Sequence, residues 1–198
     1  MEQTVLRKLQ LVELDILKEI HRVCKKNKIK YWLTGGTLIG AIRNNGFIPW
    51  DDDIDIAMCR EDYNKFLIVA PKELKTDLHL QNWEFEPNFG PPYTKVRKNN
   101  TVLVEAGSQY ADIHHGIFVD IFVYDKLPLK KIDIIKVKFS MQILLRMLLV
   151  KSGITPWKGI NGTSPYWWTF FLPFRVIAKF VSFSYMKKVY KNCVQKAN

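Results

Sequence analysis

Four of the five residues from Asp51 to Asp55 are aspartates. Like charges packed this closely repel in any compact chain, by about 1 kcal/mol per pair at 4 Å even in bulk water. The stretch therefore belongs either at a solvated rim or around a cation. Ile54 and Ile56 alternate with Asp53 and Asp55, so a strand here turns both aspartates to one face and both isoleucines to the core. That geometry suits a divalent metal held by oxygen ligands. A third carboxylate from a neighbouring strand completes such a site. Asp120, between Val119 and Ile121 in an apolar strand, is the candidate, because an unpaired buried Asp is costly. A solvated acidic loop or a structural ion is the plainer alternative, and the acidic segment alone leaves the two balanced.

Upstream, Gly35 and Gly36 stand between a predicted strand and a predicted helix. Without side chains there, backbone N–H groups can approach a phosphate at a helix N-terminus. Gly-Gly alone is weak, since ordinary turns use it. Its value comes from the acidic strand that follows, because metal and phosphate sites then arise from one continuous segment.

Val5, Leu9, Val12, Ile16, Ile20 and Val23 recur every three or four residues and predict an amphipathic helix to about Lys28. The pattern then predicts a strand over Ile29–Thr34, a helix over Leu38–Asn44 capped by Thr37, a strand over Ile54–Met58, and a helix over Glu61–Ala70 ended by Pro71. Further strands are expected at His79–Glu84, Tyr93–Lys98, Val102–Glu105 and Gly116–Tyr124. Asn99-Asn100 turns the second into the third as a hairpin, and the last, being the most apolar, is central. The fold class is α+β, a small mixed sheet packed by helices over residues 1–125, followed by a distinct region over 126–198.

That second region holds the charge. The chain carries +11, yet beyond residue 125 fourteen basic groups face one acid, Asp133, and the first 125 residues are slightly acidic. Lys and Arg interleaved with Trp157, Trp167, Trp168, Tyr, Phe and Leu describe helices that lie on an anionic membrane surface. The alternative is packing against the body or a second subunit. The apolar runs Phe139–Val150 and Tyr166–Phe183 are broken by Gln142, Arg146, Pro173, Arg175 and Lys179, short of the roughly 20 apolar residues that span a bilayer. No nucleic-acid module accompanies the basic tail, so no nucleic-acid partner is expected. Cys24, Cys59 and Cys193 have neither metal-ligand spacing nor an even count, which fits a reducing compartment, and the N-terminus lacks a secretory layout. The expected location is cytoplasmic, peripheral at the membrane face. Oligomeric state is left open.

The run Gly35-Gly36-Thr37-Leu38-Ile39-Gly40-Ala41-Ile42-Arg43, then Gly46-Phe47-Ile48-Pro49-Trp50-Asp51-Asp52-Asp53-Ile54-Asp55-Ile56, resembles the nucleotidyltransferase fold and the LicD family in particular. Tyr31-Trp32-Leu33, Lys95-Val96-Arg97 with Thr101, and Gly116-Ile117-Phe118-Val119-Asp120-Ile121-Phe122 match as well. The resemblance is good over roughly residues 5–125 and loose over the tail. LicD-type chains continue with further strands and helices beyond the point where this one stops.

The resemblance implies a nucleotidyltransferase-like core and a phosphotransferase that moves a phospho-alcohol, typically phosphocholine, from a CDP-linked donor to a sugar hydroxyl of a cell-surface or lipid-linked glycan, releasing CMP. Fukutin-related proteins acting on ribitol phosphate are similar. By resemblance, Asp53 and Asp55 hold Mg²⁺ or another divalent ion, with Asp120 as third ligand or as base. Asp51 supports the pair, while Asp52 points away as a cap or surface residue. Gly35, Gly36 and Thr37 are expected at the donor phosphates. Lys95 and Arg97, on one strand face, either reach the diphosphate or form an exposed basic strand edge. Arg43 steadies the acidic loop or the phosphates. His114 and His115 point to opposite faces and are expected to pack or sit in a loop. Trp50 either stacks on a ligand or, the favoured reading, sits in the core. Two other readings remain open, a true nucleotidyltransferase that donates NMP from an NTP and a catalytically silent membrane-attached subunit.

Overall fold

In the computed structural model, α1 (Gln3–Lys26) buries Leu6, Leu9, Ile16, Ile20 and Val23 along one stripe, the face that the sequence spacing predicts except at its start, where Leu6 is buried and Val5 is exposed. Residues 2–154, 158–159, 162–163 and 165–195 are described, without the side chains at 158–159, 162–163, 165–171, 175 and 195; the three tail tryptophans therefore lie outside the described side chains. Two units are present.

The first unit comprises Met1–Gln81, Tyr93–Leu103 and His114–Tyr124. After α1 come β1 (Trp32–Leu33), α2 (Gly35–Arg43), β2 (Asp55–Cys59), α3 (Arg60–Glu73), β3 (Leu78–Gln81), β4 (Thr94–Lys98) and β5 (Phe118–Tyr124). The strands form one mixed sheet in the order β1-β2-β5-β4-β3. Only β2 and β5 run parallel. β5 is central, as its apolar composition predicts. Ile54, Ile56, Met58, Val96, Val119 and Ile121 form one sheet face and pack with Ile16, Ile20 and Val23 of α1 and Tyr63, Phe66 and Ala70 of α3.

Several boundaries differ from expectation. α2 starts two residues before Thr37, after an extended Thr34, because the Thr37 hydroxyl is taken by the backbone N–H of Asp55 at 2.8 Å. α3 runs past Pro71 to Glu73, since a proline in the last turn forfeits only one helical hydrogen bond. Val102–Glu105 is not a strand. Both sides of β4, its expected hairpin partner, are already taken by β5 and β3, so β4 has no free edge to pair with it. Instead Asn100 turns with φ +59°, and single bonds hold the following residues, Leu103 N–H to His115 O at 2.6 Å and Ile117 N–H to the Thr101 hydroxyl at 2.9 Å.

The second unit comprises Asn82–Pro92, Val104–Ile113 and Asp125–Asn198, with α4 (Lys131–Lys151), a two-stranded ribbon of β6 (Lys158–Gly159) and β7 (Gly162–Thr163), α5 (Pro165–Phe180) and α6 (Phe183–Gln195). Met147 and Leu148 of α4 and Met186 of α6 are its core, covered by Trp83, Phe174 and Tyr190. Lys151 donates to the carbonyls of Ala178 at 2.8 Å and Val181 at 2.6 Å, a cation satisfying carbonyls at the end of α5. No helix among the described residues is long and apolar enough to cross a membrane.

Phe66 is fully buried in the first unit, whereas Ile42 is 72% exposed. Urea denaturation is expected to show Phe66→Ala destabilised by about 3–5 kcal/mol and Ile42→Ala unchanged within about 0.5 kcal/mol.

Candidate active site

The start of α2 and the start of β2 are tied together. Thr34 N–H bonds to Asp55 O at 3.1 Å, and Asp55 N–H bonds to the Thr37 hydroxyl. Gly35 has φ +57°, and a Cβ there would lie 2.8 Å from Asp55 Oδ2; one on Gly36 would lie 2.6 Å from Asp51 Oδ2. Side chains at these positions would fill the space that the two carboxylates occupy. The glycines are therefore required where the helix N-terminus meets the acids.

Asp51–Ile54 precede β2 as a loop, so Asp53 is not on the strand and alternation does not govern Asp51, Asp52 and Asp53. These three each bring an oxygen within 4.8 Å of the other two. Asp52 thus joins the cluster instead of pointing away, although it is exposed. The loop is pinned from below by α1, where the Gln10 side chain donates to Asp51 O at 2.9 Å.

Next to the loop, a row of charges crosses three strands. Asp55 on β2 is in register with Asp120 on β5, and Asp120 is in register with Lys95 on β4. The Lys95 ammonium lies 2.8 Å from Asp120 Oδ1 and 3.0 Å from Oδ2, and 3.5 Å from the centre of the Phe118 ring. Lys95 is only 2% exposed. Burial, then Asp53 and Asp120, push the Asp55 carboxyl up to about 7, with Lys95 acting in the opposite direction. Burial and the neighbouring Asp52 also raise Asp51. Asp51 Oδ2 is buried without a hydrogen-bond partner.

The other sequence candidates are placed as follows. Arg97 is fully buried, donating from Nε to Gln81 Oε1 and from Nη1 to Gly116 O, both at 2.6 Å. Its fork is engaged inside the unit. Since β4 is internal, Lys95 and Arg97 do not form an exposed basic edge. Arg43 is exposed at the far turn of α2, roughly 12 Å along the helix from Gly35. His114 stacks on His79, ring centroids 4.9 Å apart, and receives the Gly116 N–H at 3.0 Å. Trp50 is 79% exposed and not in the core; it follows Pro49 in the surface turn that leads into the acidic loop.

The sequence reading missed Gln10 and Glu13. Both lie on the buried stripe of α1, where two polar residues at i and i+3 interrupt an apolar repeat, and that interruption is the signal. Glu13 is fully buried, neither carboxyl oxygen has a hydrogen-bond partner, and burial followed by Asp53, Asp52, Asp51 and Asp120 pushes it up to about 9.

The donor set fits a hard divalent cation. It is all oxygen, it includes a buried carboxylate oxygen lacking a partner, and the burial and mutual repulsion that raise Asp55 and Asp51 are what a bound cation offsets. An acid whose folded pKa lies above its unfolded value costs stability as pH rises from its unfolded value through its folded one. Metal-free protein should therefore lose thermal stability between about pH 4 and 7 through Asp55. Asp55→Asn should raise the Tm at pH 8 without divalent ions by about 2–4 °C, scaled for a chain of this length, and should abolish the increase that Mg²⁺ gives the native chain. Scanning calorimetry checks both.

Residues 28–131, just over half of the chain, match the LicD/FKTN/FKRP nucleotidyltransferase domain. The lipopolysaccharide cholinephosphotransferase LicD of Haemophilus influenzae is 38% identical over 150 residues, which cover 71% of this chain and 55% of that protein. The ribitol 5-phosphate transferase FKRP of Homo sapiens is 50% identical over 34 residues, 17% of this chain and 7% of that one. The chain thus spans about half the length of its bacterial relative. The glycine helix start, the Asp51–Asp55 segment and the Asp120 strand all fall within the matched domain, and the chain belongs to the LicD family.

Proposed function

We propose that this chain transfers a phospho-alcohol, phosphocholine-like in character, from a CDP-linked donor to a sugar hydroxyl of a glycan, with release of CMP. The row of Asp55, Asp120 and Lys95 beside the Asp51–Asp53 loop carries this reading, because it sets acids and one cation at the N-terminus of a helix that opens on glycines. Relatives named for phosphocholine and ribitol phosphate transfer support phospho-alcohol chemistry as a class.

Asp53 and Asp55, with Asp51 beside them, would hold a divalent cation such as Mg²⁺. When bound, such an ion would neutralise negative charge on the phosphate oxygens. The N–H groups of the first turn of α2 would face the diphosphate, where a helix N-terminus favours negative charge. The acceptor hydroxyl oxygen forms a bond to the phosphorus that bears the alcohol. The bond from that phosphorus to the bridging oxygen breaks, its electron pair leaves with CMP, and the hydroxyl proton passes to the Asp120 carboxylate. Lys95 orients that carboxylate from the neighbouring strand. Arg97, bound by Gln81 and Gly116, braces the sheet behind it.

The tail would hold the chain at an anionic membrane surface. At the start of α4, Ile132, Ile135 and Phe139 are exposed in one stripe beside Lys131, Lys136 and Lys138. Such lysines contribute on the order of 1 kcal/mol each near anionic lipid. Lys131→Glu with Lys136→Glu and Lys138→Glu should reduce cosedimentation with phosphatidylserine vesicles by at least tenfold; unchanged binding would remove the membrane assignment.

CMP release from CDP-choline, CDP-ribitol or CDP-glycerol with a glycan acceptor tests the reaction. Asp53→Asn and Asp55→Asn should each lower kcat by at least 10³-fold, and Asp120→Asn by 10²–10⁴-fold, on the order of general-base loss. Equal turnover by these variants would sink the mechanism, and pyrophosphate release from an NTP would replace it with nucleotidyl transfer.

A further inference from the structure

α1 supplies three polar residues to the interior of the first unit, and two of them are accounted for. Gln10 donates to the Asp51 carbonyl at 2.9 Å. Glu19 accepts from Arg22 at 2.8 and 2.9 Å and from Lys75 N–H at 3.2 Å. Glu13, one turn beyond Gln10 on the same face, is 0% exposed and has no hydrogen-bond partner on either oxygen. A buried carboxyl group without partners is costly in either protonation state, because even the neutral acid must lose water at a donor and an acceptor. A packing role alone does not account for it, since a leucine or methionine would fill the space without that cost.

Its surroundings supply a reason. The charges that act on Glu13 most strongly are those of Asp53, Asp52, Asp51 and Asp120, the acids of the candidate site. Gln10 holds the Asp51 backbone from the same buried helix face, one turn before Glu13. We propose that Glu13 is a further carboxylate of the divalent-cation site, contributed by α1 from outside the matched domain and reaching the Asp51–Asp53 loop from its buried side. The proposal rests on the reading that this loop holds a cation. The ion is then bound between a loop and a helix that are far apart in sequence, and its binding fastens α1 to the sheet.

Titration of the full chain with Mn²⁺, followed by the electron paramagnetic resonance of free Mn²⁺ without any donor, tests this apart from turnover. Glu13→Gln keeps the shape of the acid and removes its charge, so the metal-free variant should melt at the Tm of the native chain or above it. Its Mn²⁺ affinity should fall at least tenfold. Glu13→Asp keeps the charge but withdraws it by one methylene, and its affinity should fall between the two. Should the Gln variant fail to fold, the Asp variant decides by the same criterion. Native-like Mn²⁺ affinity in these variants would overturn the role of Glu13 while leaving the reaction intact. No Mn²⁺ binding by the native chain would overturn the cation site itself, and Glu13 with it.

Discussion

Everything in the first unit is arranged around excess negative charge at one end of its sheet. Asp51, Asp52 and Asp53 crowd in a loop, Asp55 and Asp120 stand in register beside them, and Glu13 of α1 is fully buried. The protein itself places one fixed positive charge in that row, the Lys95 ammonium on Asp120. A buried ion pair of this kind offsets its own desolvation and little more. The remaining repulsion is held by geometry: two hydrogen bonds between the start of α2 and β2, and the Gln10 bond to the loop. The site is an electrostatically strained edge clamped by neutral contacts, with the strain directed at whatever cation enters.

The strand order explains why the acids can stand so close. β2 and β5 are parallel neighbours, so Asp55 and Asp120, 65 positions apart in the chain, become lateral neighbours at equal height. β4 runs antiparallel on the other side and brings Lys95 level with them. Placing β5 centrally therefore does two jobs. Its Val119 and Ile121 close the hydrophobic core with Ile54 and Ile56, and its alternate residue, Asp120, faces the charges.

Much of this was legible in the sequence. The periodicity of α1, the order of strands and helices through residue 98, the central apolar strand and the pairing of Asp55 with Asp120 follow from hydrophobic spacing and from the cost of burying a lone aspartate. Misread elements share a cause, since each depends on a partner that sequence spacing does not reveal. Thr37 reads as a cap until Asp55 takes its hydroxyl. Val102–Glu105 reads as the hairpin partner of β4 until β3 and β5 take both sides of that strand. Arg97 reads as a phosphate ligand or an exposed basic edge until Gln81 and Gly116 occupy its fork inside the sheet. Trp50 reads as core by composition, yet the turn leading into the acids holds it in solvent. Gln10 and Glu13 mark an interruption in the apolar stripe of α1, but the sequence does not say which loop that stripe faces.

The central strand is also the last of the five to be synthesised. Until residues 118–124 emerge from the ribosome, β2 and the β3–β4 hairpin each have an open edge waiting for the same partner. Those open edges carry Asp55 on one side and Lys95 with Arg97 on the other, charges of the kind that discourage a half-made sheet from joining the half-made sheets of neighbouring chains. Asp55 and Lys95, two members of the later charge row, thus stand on the edges that β5 closes when it pairs with both strands.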